Sequence, residues 1–136
     1  MRVDKSHNKK DRSLNVNYVQ WGGSGEMEII LGHLVGDYLL QSDWMALNKK
    51  KKGINGWVPC IIHCLIWTTS MILFIGKLDV ALILGLFISH LILDRTNLVV
   101  WLLNATRMMP NPAMWKVIIV DNTLHLLMVH GLLKLI

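Results

Sequence analysis

The sequence predicts an all-α integral membrane protein: an up-down four-helix bundle over residues 26–136, preceded by a disordered basic tail at 1–25. Three observations predict it. The chain is apolar for its size, four long apolar stretches alternate with short connectors, and tryptophans mark the ends of those stretches. Of 136 residues, 53% are hydrophobic and only 17% charged, with a mean hydropathy of +0.43. A soluble domain carries about a quarter charged residues. The balance leans towards lipid, and the length allows one folded domain.

The tail is polar and glycine-tipped, with Arg2, Lys5, Lys9, Lys10 and Arg12 near its start, and it has no hydrophobic period. It shows no apolar core of a secretory signal. The Gly22–Glu26 run calls for purine-rich codons like those of a bacterial ribosome-binding site, so translation from Met27 is an expectation. Four stretches follow, at Met27–Leu47, Trp57–Ile75, Leu78–Leu103 and Ala113–Leu135. Each is close to the ~20 residues needed to cross a bilayer core. The second lacks any Asp, Glu, Lys or Arg, and the third is charge-free from Val80 to Leu93. The first is the least apolar, with Glu28, His33, Asp37, Gln41 and Asp43; Glu28 and Asp43 fall near its ends.

The connectors are Asn48–Gly56, Gly76–Lys77 and Asn104–Pro112, the last stopped by Pro110-Asn111-Pro112. Short connectors make neighbouring helices antiparallel. Trp44, Trp57, Trp101 and Trp115 then all lie on one side of the membrane, as half of an aromatic belt. Lys49–Lys52, Arg107 and Lys116 share that side, which the positive-inside rule makes cytoplasmic. Basic runs in such places flank membranes, so no nucleic-acid partner is expected despite the +5 charge. Gly32 and Gly36 form Gly-x-x-x-Gly, a close-packing signal. Cys60 and Cys64 sit one helical turn apart without the Cys-x-x-Cys pairs of a structural zinc site, and read as packing residues.

The chemistry lies in the polar residues at mid-depth. Asp37, Asp94 and Asp121 each have a histidine four residues away, His33, His90 and His125, and the remaining stretch supplies His63. Residues four apart share a helix face. An aspartate at the bilayer centre costs about 2.5–3.5 kcal/mol, so three cost about 7–11 kcal/mol unless they face inward and are neutralised. Protons, a metal ion or a basic partner would do so, and Arg95 is the nearest fixed cation on the third stretch. The candidate metal ligands are His33, Asp37, His63, His90, Asp94, Asp121 and His125. Mixed imidazole and carboxylate donors suit zinc, manganese or iron. Seven donors exceed what one catalytic zinc needs, so either some orient the ligands or two ions share the site. Two divalent ions against three carboxylates favour an anionic substrate. His130, Gln41 and Asn122 are ordinary interhelical hydrogen-bonding residues, and Gln41 also lies where it can touch substrate.

The run His33-Leu-Val-Gly-Asp37-Tyr-Leu-Leu-Gln41-Ser-Asp43-Trp44-Met45, followed by Asn48-Lys49, resembles the opening signature of a bacterial and phage membrane family catalogued as domain of unknown function 3307. His63, His90-x-x-x-Asp94-Arg95 and Asp121-x-x-x-His125 follow in the family's order, and the likeness covers nearly all of the chain from Met27 onward. That family is known by a number and not by an activity, so the resemblance implies an architecture and a residue pattern. It is distantly similar in motif to membrane-bound metal-dependent hydrolases, which implies a reaction class only by analogy.

The leading expectation is therefore a metal-dependent hydrolase in the bacterial inner membrane, acting on an amphiphilic or lipid-linked substrate at the cytoplasmic face. Asp37, Asp94 and Asp121 carry the catalytic roles, one of them as general base, with Arg95 and Gln41 contacting substrate and one or two divalent ions bound. Two other classes remain open. One is a proton- or metal-ion-conducting protein, which with so few helices would need to be a homo-oligomer. The other is a non-catalytic phage-type accessory membrane protein.

Overall fold

The computed structural model describes residues 25–106 and 113–136. All regular structure there is helical: α1 (Glu26–Leu34) runs into a π-helical turn (Val35–Leu39), followed by α2 (Asp43–Asn48), α3 (Ile54–Ile75), α4 (Val80–Arg95), α5 (Leu98–Ala105) and α6 (Met114–Leu135). Residues 1–24 of the expected tail, Arg107 and the Pro110–Pro112 stop lie outside the described residues.

Two of the four expected stretches are continuous helices and two are broken. α3 and α6 are each 22 residues and apolar enough to cross a membrane, and the pair α4–α5 qualifies as a third span if its 62° bend is kept within one crossing. The first stretch divides after the π turn, where the Leu40 amide bonds Val35 O at 3.0 Å and Ser42 restarts the chain as the cap of α2, accepting from the Met45 amide at 3.4 Å. The third divides at Thr96, whose extended backbone ends α4. Asp79 caps the start of α4 through the Leu82 amide at 2.8 Å, and Gly76 at φ 69° ends α3 in the left-handed conformation that glycine adopts without strain.

α3 is the hub, touching α1, the π turn, α2 and α4, while α6 closes against α4, α5 and α1. The Gly-x-x-x-Gly pair permits the closest of these approaches. A Cβ on Gly36 would lie 2.6 Å from Trp67 Cδ1, and one on Gly32 would lie 3.0 Å from Phe74 Cβ. The small apolar core is Trp67, Met71, Leu82, Leu86 and Val129. Above it the interior turns polar, with His33, His63, His90, Asp94 and His125 all buried. Outside, Leu65, Leu73, Leu84, Ile88, Ile92 and Leu127 are each more than half exposed. Apolar side chains face outward around ionisable ones, the inverse of a soluble domain.

Candidate metal centre

The helix breaks place the site. The π turn inserts one extra residue per turn and holds Asp37 against α3, where His63 projects from the following face. His90 and Asp94 occupy the last two turns of α4, and Asp121 and His125 lie in the first half of α6. Six of the seven expected ligands meet around Asp94 and His90, and the seventh, His33, abuts them.

Donor atoms converge from three segments, Asp37 and Asp94 each standing against the same pair of imidazoles. His63 Nε2 lies 3.0 Å from His90 Nε2, 3.3 Å from Asp37 Oδ1 and 3.1 Å from Asp94 Oδ2. His90 Nε2 lies 3.8 Å from Asp37 Oδ1 and 3.5 Å from Asp94 Oδ2. Donors about 2.0–2.2 Å from a tetrahedral ion stand about 3.3–3.6 Å from one another, so these separations bracket the edge of such a coordination shell. Hydrogen bonding leaves the cluster incomplete. Asp37 Oδ1, His63 Nδ1, His90 Nδ1 and His125 Nε2 are buried with no hydrogen-bond partner among the described residues, where native interiors leave few polar atoms unpaired. The donor set fits a divalent transition ion.

The histidines differ in what their rings have left to offer. Trp67 Nε1, which can only donate, bonds His33 Nδ1 at 3.0 Å, so the neutral ring carries its proton on Nε2 and donates to Asn122 Oδ1 at 2.7 Å. Asn122 in turn donates to Tyr38 Oη and Ile118 O, both at 2.7 Å. Both nitrogens of His33 are thus occupied, and Asp37 Oδ2 stands 3.5 Å from its Nε2. Trp67 also stacks on His90, ring centroids 3.9 Å apart and 18° from parallel, fixing that imidazole's plane. His125 donates from Nδ1 to Asp121 O at 2.8 Å, which leaves the Nε2 lone pair pointing inward.

The family model described as "Protein of unknown function (DUF3307)" matches residues 27–134. The chain belongs to the DUF3307 family. The match covers all but the first residue of α1 and the last of α6, and takes in all seven expected ligands. No curated protein and no solved structure matches this DUF3307 chain, so no named relative stands behind the likeness to membrane-bound hydrolases.

Three residues of the DUF3307 site were not marked by the sequence reading. Lys49 donates to Asp94 Oδ2 at 2.8 Å and to Gln41 Oε1 at 3.1 Å, so it supplies the counter-charge that Arg95 was expected to supply. Arg95 instead bonds Lys49 O at 3.1 Å and lies 4.8 Å above the Trp57 ring, bracing the connector that carries Lys49. Gln41 accepts from the same ammonium that bonds Asp94. Trp67 had no expected role. Cys64, read as packing, has its Sγ within 4.8 Å of donor atoms of His90 and Asp94. Lys49 stood in the signature, but inside a lysine run that resembles any membrane flank.

Proposed function

We propose that this DUF3307 protein is a metal-dependent hydrolase embedded in the bacterial inner membrane as a four-segment up-down bundle, its lysine-rich side cytoplasmic. The observation that carries the reading is the convergence of Asp37 and Asp94 on the buried His63–His90 pair, with unpaired buried polar atoms around it. A divalent ion held there would supply Lewis-acid polarisation and an acidified water near neutral pH. The chain's own residues hold the geometry. Trp67 and the Asn122 amide fix His33, the Trp67 ring fixes His90, and Lys49 limits the charge on Asp94.

An amphiphilic or lipid-linked substrate suits the surroundings. An apolar groove of about 310 Å³ runs between the π turn and α3, lined by Val35, Leu40, Leu65, Thr69, Leu73 and Phe74. Its lining residues Val35 and Leu40 flank Asp37 in sequence, and its apolar walls would suit an acyl chain. Lys49 and its neighbouring lysines favour an anionic headgroup.

Elemental analysis of the protein purified in detergent tests the reading. Bound zinc, manganese or iron is expected, with a lower melting temperature after chelation. Mass spectrometry of a polar-lipid extract incubated with the protein should then show chelator-sensitive products. Absence of transition metal together with chelation-insensitive stability would rule the mechanism out. Proton or metal flux in proteoliposomes, abolished by Asp94→Asn and without lipid turnover, would replace hydrolysis by conduction.

A further inference from the structure

We propose that the centre is dinuclear, with Asp94 as the bridging carboxylate and Asp121 and His125 as ligands of the second ion. This rests on the metal reading above and adds to it the number of ions and the division of labour among the ligands.

The two oxygens of Asp94 face different partners. Oδ2 faces Lys49 Nζ at 2.8 Å, His63 Nε2 at 3.1 Å and His90 Nε2 at 3.5 Å. Oδ1 faces away, 3.9 Å from His125 Nε2. That separation is too long for a hydrogen bond. The proton needed for one is also elsewhere, since His125 Nδ1 donates to the Asp121 carbonyl. In the neutral ring His125 Nε2 is therefore a lone pair, fully buried, without a hydrogen-bond partner among the described residues, and facing a carboxylate oxygen. A proton shared between two such acceptors would need a shorter gap, whereas a gap of 3.9 Å has room for a metal ion bonded to both. A backbone carbonyl on Nδ1 is also the usual way a protein orients a metal-binding imidazole. Asp121 completes a second donor group with Asp94 and His125, its ligand atom within 4.8 Å of theirs.

The first group is Asp37, His63 and His90, and the second is Asp121 and His125. They share only Asp94, so a second ion would not compete for the first one's ligands. Two ions bridged by one carboxylate stand about 3.5–4 Å apart, the separation of two-metal hydrolytic sites. The groups also differ in access. His63, His90 and Asp94 are almost sealed, whereas the Asp121 side chain is 30% exposed. The second ion would therefore be the more accessible to water.

The full-length protein in detergent, stripped by chelator and titrated with Mn²⁺ alone, tests this by bound-metal analysis and electron paramagnetic resonance. Wild type should retain a pair of Mn²⁺ per chain and give the broadened spectrum of exchange-coupled ions. Asp121→Asn and His125→Gln should halve the metal content and give the resolved hyperfine spectrum of isolated Mn²⁺, while Asp121→Glu, which keeps a carboxylate, should keep the coupled pair. A wild type that saturates at one uncoupled ion would overturn the dinuclear proposal and leave the hydrolase reading standing. Both ions retained in the Asn and Gln variants would also overturn it. No retained ion in wild type would overturn both.

Discussion

At the residue scale, one spacing produces three uses of histidine. His33, His90 and His125 all lie four residues from an aspartate, yet Trp67 and Asn122 consume both nitrogens of His33, the Trp67 ring clamps His90, and the Asp121 carbonyl turns His125 inward. His33→Ala should therefore keep bound metal while lowering stability, because it strands the Trp67 N–H and the Asn122 carbonyl at about 1–3 kcal/mol each. Paired melting curves and metal analysis in detergent check this, and loss of an ion would make His33 a ligand after all. Lys49→Met removes the ammonium from buried Asp94. Breaking a buried pair costs about 3–5 kcal/mol, an upper bound for a lysine that keeps some water contact. The loss should be large in chelated protein and smaller in metal-loaded protein, where an ion compensates the carboxylate. The histidines and aspartates were legible because charge in an apolar stretch is costly and conspicuous. Lys49 and Trp67 were not, because a lysine beside a membrane and a tryptophan within it are what any such chain contains.

At the element scale, hydropathy identified four stretches but passed over their breaks. Averaging across about twenty residues hides Gln41-Ser42 and Thr96-Asn97, two short polar pairs that the chain uses to stop one helix and start the next. A π turn leaves still less trace, since it depends on how α1 packs on α3 and not on any residue type. The Gly-x-x-x-Gly signal was fully legible, because only the missing side chains let those backbones meet. Gly36→Ala should cost about 1–3 kcal/mol by forcing Trp67 off both His33 and His90. Gly131→Ala, whose Cβ would meet nothing within 4 Å, serves as its control and should shift stability by at most about 1 kcal/mol, in the favourable direction. Equal effects in thermal melts would mean that the α1–α3 contact is looser than its geometry.

At the scale of the whole molecule, an apolar exterior around an ionisable interior sets the solvent. The protein should remain in the membrane pellet after alkaline carbonate washing and enter solution only with detergent; release by carbonate would contradict an integral protein. Trp44, Trp57 and Trp115 sit in the first turns of α2, α3 and α6 and Trp101 midway along α5, each at least two-fifths exposed. A cysteine at exposed Lys51, in a chain whose own Cys60 and Cys64 are fully buried, should react with an impermeant thiol reagent from the cytoplasmic side alone. Labelling from the opposite side would invert the topology.

The break after the π turn has a consequence for where a reaction would take place. From Glu26 to Leu39 the first segment is 14 residues long, about 21 Å of rise against a hydrocarbon layer of about 30 Å. α4 stops at Arg95, one residue beyond Asp94, before the chain bends away. In the membrane reading proposed above, the lysine-side ends of these two segments would stop short of the surface that α3 and α6, 22 residues each, can reach, and lipids beside them would dip to cover the difference. They would dip towards Asp37 and Asp94, the acidic residues just before the two breaks. A headgroup linkage would be carried down to the carboxylates by the local thinning of the membrane, and no lipid would have to be lifted out of its leaflet to be cut.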